Sequence, residues 1–325
     1  MRPATLLMTL LMTTSLYCNS VSAAQNNSIA SPGRCFDAHN PNDIRLWTQP
    51  APGAAGDDPC LDIPHMHVYA APINSNGPSA AILLIPGGGY DRLTNLKEQD
   101  PVAAYFSVQL NITTFILNYR LVQGNATYRY PVPMWDGQRA LKYIRAHAGE
   151  FHIDPARIGV FGFSAGGHLA TMLAEHSGND FNLKGAPYTQ DSIDTQSGKV
   201  DFLGLGYLVI SMDPEQYGNS ASRNHLLAGY RGKELEKLQH YLSGQEKISS
   251  HTPPVFLFVS TDDQRINPQN SIQFAEALKT ANIPADVHVF PHGAHGVGLA
   301  QDMPEEKVWP ELFHQWLISQ GLLSN

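Results

Sequence analysis

Hydrophobic residues are distributed along this chain in two alternating patterns. The first is a short continuous run of β-branched, aliphatic or aromatic residues, which is typical of a strand buried on both faces of a sheet. The strands predicted in this way cover residues 80–86, 113–119, 157–163, 202–211, 254–260 and 285–291. The second pattern has apolar positions at helical spacing, and it predicts helices between the strands. The predicted helices cover residues 99–110, 135–149, 167–176, 268–282 and 305–320.

The alternation of strands and helices predicts an α/β fold, in which a mostly parallel sheet carries helices on both faces. A length of 325 residues fits one large domain of this kind or two small ones. Two stretches, 179–199 and 212–250, interrupt the alternation. We expect both to be small cap insertions over the functional edge of the sheet, where loops usually set specificity.

The amino-terminal residues have the pattern of a secretory signal. Arg2 gives a positive start, residues 4–17 are apolar or neutral, and small residues end at Ala23 and Ala24. The apolar stretch is shorter than the ~20 residues that a membrane-spanning helix needs. We therefore predict a signal peptide at 1–24 and a secreted or periplasmic protein with no membrane partner after cleavage. An uncleaved anchor or a plain helix is the alternative.

Residues 25–63 are rich in Pro, Gly, Asn and Asp, which predicts an extended segment leading into a catalytic domain at 64–325. Signal cleavage would remove Cys18 and leave Cys35 and Cys60 in an oxidising compartment. A disulfide between these two is predicted, and two unpaired cysteines are the alternative. Asn-x-Ser/Thr triplets, which matter only where the host glycosylates proteins, occur at Asn26, Asn111 and Asn125.

The charge balance argues against nucleic acid as a partner. The chain has 29 acidic and 21 basic residues, a net charge of −8, and no block of Lys or Arg that would contact phosphates. Among the 14 histidines, His65 and His67 alternate as they would on one face of a strand. This spacing suits surface or strand-edge histidines, and a pair of metal ligands is the alternative. We expect no metal and no organic cofactor.

The strongest chemical signal is the sequence GFSAG at 162–166, which matches G-x-S-x-G. It lies between a predicted strand and a predicted helix, as a nucleophile elbow requires. The small flanking residues allow a sharp turn that lifts the Ser164 hydroxyl clear of the sheet. The following helix directs its positive end toward developing negative charge. Ser164 is therefore the predicted nucleophile, and a glycine-rich turn without chemistry is the alternative.

A second glycine-rich sequence, PGGGY at 86–90, follows the predicted strand at 80–86. Glycines let backbone amides approach a ligand closely. In an α/β-hydrolase such a loop supplies part of the oxyanion hole, together with the amide of the residue after the nucleophile. We assign Gly88, Gly89 and Ala165 to this hole, the alternative being a tight turn.

The acid and the base of the expected triad should follow the serine in that order. Asp262 and Asp263 come directly after a predicted strand, and either carboxylate could orient an imidazole. His292 and His295 both lie in the loop after the next strand. His295 is preferred because its small neighbours leave room for an acyl group beside the ring.

These motifs resemble the secreted acetyl esterase and acetylxylan esterase branch of the α/β-hydrolase superfamily, which is related to Aes-type and feruloyl esterases. The similarity runs from about residue 81 to 321 and includes NYRL (118–121), IDPARIGV (153–160), GFSAGGHLA (162–170) and HGVGL (295–299). Relatives carry G-x-x-D-x-x-V-P where this chain has STDDQRIN (260–267), which aligns Asp263 with the catalytic carboxylate. Ser260 and Asn267 depart from that pattern.

The resemblance implies acetyl esters on plant polysaccharides, especially xylan, as substrates. We predict a serine carboxylesterase that hydrolyses short acyl esters of an acetylated polysaccharide or oligosaccharide through an acyl-enzyme. The bulky Tyr90, after the oxyanion glycines, is expected to wall off the acyl side of the pocket. The alternatives are a prolyl-oligopeptidase-like serine peptidase and a non-catalytic binding protein on a hydrolase fold. The sequence predicts no oligomeric state.

Overall fold

The computed structural model of the protein describes residues 1, 33–73, 77–94, 97–178 and 181–323. Apart from Met1, the predicted signal peptide at 1–24 lies outside the described residues, as does the triplet at Asn26. In the part of the chain that the structure describes, no helix is long and apolar enough to cross a membrane.

Eight strands among the described residues form one sheet in the order β1-β2-β4-β3-β5-β6-β7-β8. The strands are β1 (Asp43–Arg45), β2 (His65–Tyr69), β3 (Ser79–Ile85), β4 (Thr113–Asn118), β5 (Ile153–Phe163), β6 (Leu203–Gly206), β7 (Val255–Ser260) and β8 (Ala285–Phe290). β2 pairs antiparallel with β1 and with β4, and every other pairing is parallel. The mostly parallel sheet predicted from the sequence is confirmed.

Helices cover both faces of this sheet. They are α1 (Asp100–Ala104), α2 (Val132–Ala146), α3 (Ser164–Glu175), α4 (Ser220–Leu226), α5 (Gly232–Tyr241), α6 (Gln269–Thr280) and α7 (Trp309–Ser319). α2, α3 and α6 contribute to the hydrophobic cluster on one face, and α1 and α7 contribute to the cluster on the other. Successive residues of β3 from Ala80 to Ile85 alternate between the two clusters, so this part of the strand is continuously apolar.

The predicted elements are present, and their ends differ for local reasons. The helix expected at 167–176 begins at Ser164, because the chain turns directly from strand into helix at that residue. The strand expected at 202–211 is shorter, since only Leu203–Gly206 pairs within the sheet. The helix expected at 99–110 divides into α1 and a π-helical segment, Tyr105–Gln109.

Both predicted insertions lie outside the sheet. Residues 212–250 contain α4 and α5. The described part of 179–199 contains two short 3₁₀ turns, Leu183–Gly185 and Ser192–Thr195.

The segment before β2 is tied to the sheet rather than loosely extended. Its only strand in the described residues, β1, adds to the edge of the sheet beside β2. A disulfide joins Cys35 to Cys60. The fully buried Arg120 donates to Asp136 at 2.6 Å and to the Pro52 carbonyl at 2.8 Å. Because a buried charge is costly without partners, the bond from Arg120 to the Pro52 carbonyl holds the segment against the domain, while Asp136 balances the charge.

His65 and His67 are buried, at 1% and 7% exposure, so the prediction of surface histidines is wrong. β1 covers the strand edge on which they lie, and this burial could not be read from their spacing. Nδ1 of His67 pairs with the Asp43 carboxylate on β1, and Nδ1 of His65 donates to the Ile63 carbonyl at 3.0 Å. The described residues contain no group of three or more His, Cys, Asp or Glu side chains arranged to hold a metal ion.

Replacing both Cys35 and Cys60 by serine should lower the free energy of unfolding. The disulfide closes a loop with a sequence separation of 25, and losing that constraint should cost about 3 kcal/mol. Denaturant unfolding of the variant and of the oxidised wild type measures the difference. Unfolding curves that coincide would contradict the stabilising role, and reduced wild type should match the variant.

Candidate active site

Ser164 occupies a sharp strand-to-helix turn between β5 and α3. Its φ is +53°, a backbone conformation that residues other than Gly rarely adopt. The flanking glycines make the turn possible. A Cβ at Gly162 would overlap the Gly166 carbonyl, and a Cβ at Gly166 would overlap the Ile85 carbonyl on the neighbouring strand. The G-x-S-x-G spacing therefore reflects close backbone packing on both sides of the serine.

Ser164 is hydrogen-bonded to His295, which in turn is hydrogen-bonded to Asp263. His295 Nε2 lies 2.9 Å from Ser164 Oγ, and His295 Nδ1 lies 2.8 Å from Asp263 Oδ2. The three residues follow three different strands, β5, β7 and β8, whose carboxyl ends meet at one edge of the parallel sheet. With Nδ1–H donated to the carboxylate, Nε2 is left as the atom that can accept the serine proton.

Both oxygens of the Asp263 carboxylate accept hydrogen bonds. Its Oδ1 accepts the backbone amides of Arg265, at 2.8 Å, and Ile266, at 3.0 Å. Burial acts to raise the pKa of Asp263, but the hydrogen bond from His295, its charge and the two amides outweigh burial and lower it. The carboxylate is therefore held ionised where it faces the imidazole.

The neighbouring pair, Asp262 and His292, makes no hydrogen bond in this series of Ser164, His295 and Asp263. His292 Nδ1 is 3.2 Å from Asp262 Oδ2, and both side chains are largely exposed. Asp262 also accepts the Gly293 amide at 2.9 Å, which ties the end of β7 to the loop that carries His295. Of the alternatives open in the sequence, the structure brings Asp263 and His295 together with Ser164.

The glycine-rich loop after β3 lies beside the serine. Gly88 and Gly89 have positive φ values, +128° and +68°, and both line the cleft above Ser164. A Cβ on Gly88 would overlap the Arg92 carbonyl, so the loop cannot take this path with a larger residue. The Ala165 amide lies in the first turn of α3, where backbone donors have no partner within the helix.

Tyr90 does not line the acyl side of the cleft, and that prediction is wrong. Its ring is completely buried, and its hydroxyl is 2.6 Å from Nδ1 of His168, which is also buried. Nε2 of His168 donates to the Leu242 carbonyl at 2.7 Å. With a φ of +70°, Tyr90 turns its ring inward under the glycine-rich loop, a direction that its place after the glycines does not predict.

The open space around Ser164 is a cleft of about 600 Å³ with a mostly polar lining. Ala221 and Ile266 are its aliphatic side chains, and its other lining residues are Gly88, Gly89, Asp91, Arg92, Thr94, Glu98, Ser164, Asn219, Ser222, His225, Arg265, His295 and Gly296. Three of these polar residues come from the insertion at 212–250. His225 on α4 also donates from Nδ1 to the Gly89 carbonyl at 2.8 Å, so the insertion contacts the glycine-rich loop directly.

Two residues of the site were not predicted from the sequence. Glu98 is a buried carboxyl group that lines the cleft, and Tyr207 packs its ring edge-on against the His295 ring, with centroids 4.9 Å apart. Neither residue lies in a recognisable motif. A carboxylate close before a predicted helix and a tyrosine within the strand predicted at 202–211 are ordinary features, so no sequence signal marked either as a site residue.

Comparison with known proteins is consistent with this geometry. Residues 66–278 match the BD-FAE family model. The chain belongs to the BD-FAE family. The match spans the strands of the sheet from β2 to β7 and includes Ser164 and Asp263 but not His295.

Two curated relatives carry names connected with xylan. The chain is 32% identical over 229 residues to an acetylxylan esterase of Xylanibacter ruminicola, a match covering 70% of this chain and 42% of the relative. It is 30% identical over 240 residues to endo-1,4-beta-xylanase B of Butyrivibrio fibrisolvens, covering 74% and 35%. The match thus covers less than half the length of either relative.

Solved structures confirm the α/β-hydrolase fold. An acetyl ester-xyloside bifunctional hydrolase from Caldicellulosiruptor lactoaceticus is 33% identical, with a TM-score of 0.74, and the match covers 91% of this chain and all of that one. A carboxylesterase from Lactobacillus plantarum is 23% identical, with a TM-score of 0.66 and coverage of 85% and 98%, and shows the shared fold alone. The resemblance to the acetyl esterase branch is confirmed.

Asp263→Asn should reduce ester turnover by about 10⁴, because an amide favours the wrong imidazole tautomer. Asp262→Asn is the matched control, because it is the identical change one residue away. It should reduce turnover by no more than about tenfold, since it weakens the hydrogen bond from the Gly293 amide, which helps to place the His295 loop. Steady-state hydrolysis of an aryl acetate by both variants tests the assignment. A larger loss in Asp262→Asn would mean that the acid has been misassigned.

Proposed function

We propose that this protein is a serine carboxylesterase that removes short acyl groups, chiefly acetyl, from a polysaccharide or oligosaccharide. The observation that carries the proposal is the hydrogen-bonded series Ser164–His295–Asp263, whose serine and histidine share a cleft with Gly88 and Gly89 and whose serine directly precedes Ala165. A nucleophile, a base with an oriented tautomer and a set of backbone donors are the groups that acyl transfer requires.

The reaction follows from the positions of these atoms. His295 Nε2 takes the Ser164 proton as Oγ bonds to the ester carbonyl carbon. The amides of Gly88, Gly89 and Ala165 stabilise the resulting oxyanion. When the carbon–oxygen bond to the sugar breaks, His295 gives its proton to the departing sugar oxygen. Water then attacks the acyl-serine by the same route and releases the carboxylic acid.

The lining of the cleft supports a small acyl group and a polar leaving group. A long acyl chain would need an apolar pocket, whereas Ala221 and Ile266 are the aliphatic side chains of this cleft. Asp91, Asn219 and Ser222 offer hydrogen-bonding groups suited to sugar hydroxyls. The names of the relatives, an acetylxylan esterase and an acetyl ester-xyloside hydrolase, favour acetylated xylan as the specific substrate.

Export from the cytoplasm is part of the same proposal. A polymeric substrate is met outside the cell, and residues 1–24 have the composition of a signal peptide. The Cys35–Cys60 disulfide is consistent with an oxidising compartment. The mature protein would then begin with the segment at 25–63, followed by the catalytic domain at 64–325.

Acetyl esters should be hydrolysed at least about tenfold faster than octanoyl esters, as judged by kcat/KM. The physical reason is that the polar cleft offers a long acyl chain little apolar surface. A series of aryl acetate, butyrate and octanoate measures the preference. Equal or faster turnover of the octanoate would favour a lipase-like enzyme instead.

Release of acetate from acetylated xylo-oligosaccharides tests whether a sugar is accepted as the leaving group, independently of the acyl-chain preference. Feruloylated arabinoxylan is the matched alternative, because it presents a bulky acyl group on a similar sugar. Acetate release without ferulate release is the expected outcome. Hydrolysis of aryl acetate with no acetate from the oligosaccharides would leave the ester chemistry intact and remove xylan as the substrate.

A further inference from the structure

The carboxyl group of Glu98 lies between the two loops that form the site. Its Oε2 accepts the Gly87 amide of the oxyanion loop at 2.7 Å, and its Oε1 accepts the Tyr207 hydroxyl at 3.0 Å. A Cβ on Gly87 would lie 2.8 Å from the Ser164 Cβ and 2.9 Å from Glu98 Oε2. The missing side chain at Gly87 thus lets the carboxyl group approach the serine turn.

Tyr207 extends the contact to the loop that carries His295. Its hydroxyl accepts the Gly298 amide at 3.2 Å, and its ring lies edge-on against His295. A Cβ on Gly296 would lie 3.7 Å from Glu98 Oε1, so the carboxyl group is also close to this loop directly. Glu98 and Tyr207 together connect the oxyanion loop to the base.

The contacts around Glu98 suit an ionised carboxylate. The Gly87 amide can only donate, and the Tyr207 hydroxyl, which accepts from Gly298, has its own proton to donate. In this arrangement each oxygen of Glu98 has a donor to accept from. Burial raises the pKa of Glu98 above its ordinary value, and the donors from Gly87 and Tyr207 and the charge of His295 offset only part of that rise.

We propose that Glu98 is a positioning residue for ester hydrolysis. Its buried carboxylate holds the oxyanion loop and the His295 loop at a fixed separation, and it provides a second negative charge beside the imidazolium. Asp263 holds His295 from the Nδ1 side, and Glu98 acts from the side of the cleft. The charge matters most once the serine proton has moved to the ring, which occurs on the way to the tetrahedral intermediate. The role rests on the proposed function.

Glu98→Gln preserves the shape of the side chain and removes its charge. We expect kcat for an aryl acetate to fall by about tenfold or more, while KM stays within about twofold, because the contribution arises in the transition state. Glu175→Gln is the matched control: Glu175 is another largely buried glutamate, bonded to Thr252 at the far end of α3 from Ser164. That control should keep wild-type kcat.

Tyr207→Phe removes the donor to Glu98 while keeping the ring against His295. It should also lower kcat, and the double variant should be no slower than Glu98→Gln alone, since the two side chains act as one unit. Thermal unfolding of each variant monitors the fold. If Glu98→Gln fails to fold, Tyr207→Phe decides the outcome.

The rate of Ser164 labelling by a fluorophosphonate gives a readout that does not depend on the ester substrate. Oγ bonds to phosphorus as fluoride leaves, and His295 takes the serine proton, so slower labelling in Glu98→Gln is expected.

Wild-type kcat and labelling rate in folded Glu98→Gln, or in folded Tyr207→Phe, would overturn the proposal. A fall in kcat matched by a rise in KM would also overturn it. If the wild type is labelled but cleaves no ester, the proposed function fails, and the labelling rates still decide the role of Glu98.

Discussion

The site depends on one backbone constraint, the left-handed conformation of Ser164 at the junction of β5 and α3. This conformation costs free energy for a residue with a side chain, and packing on every side sustains it. Gly162 and Gly166 allow the backbones of the turn and of β3 to approach closely. The Val209 amide, beyond the end of β6, donates to the Ser164 carbonyl at 3.1 Å and fixes the turn from the other side.

The parallel sheet brings the other residues of the site to this turn. Because β3, β5, β7 and β8 are parallel, the loops after them lie at one edge, although they are far apart in the sequence. Buried polar groups then set the distances between the loops. Tyr90 and His168 hold the glycine-rich loop to α3, and Glu98 and Tyr207 hold it to the His295 loop. Each of these contacts is buried, so leaving one partner unpaired would be costly.

The sequence predicted those features that depend on local pattern. Buried strands of a parallel sheet are continuously apolar, and the G-x-S-x-G turn demands small residues, so both could be recognised without coordinates. The direction of a side chain in an irregular loop has no such pattern. Tyr90 turns inward instead of toward the acyl pocket, and β1 buries His65 and His67, because contacts with distant segments decide these orientations. Glu98 was missed for the same reason.

The most direct test of the account is to detect the acyl-enzyme itself. Wild-type protein mixed with an aryl acetate and quenched in acid during turnover should carry one acetyl group on the peptide that contains Ser164, as identified by mass spectrometry. Ser164→Ala, treated identically, should carry none and should lose nearly all hydrolysis. Hydrolysis by the wild type with an acetyl group on a different residue, or undiminished hydrolysis by Ser164→Ala, would contradict the assignment of Ser164 as nucleophile.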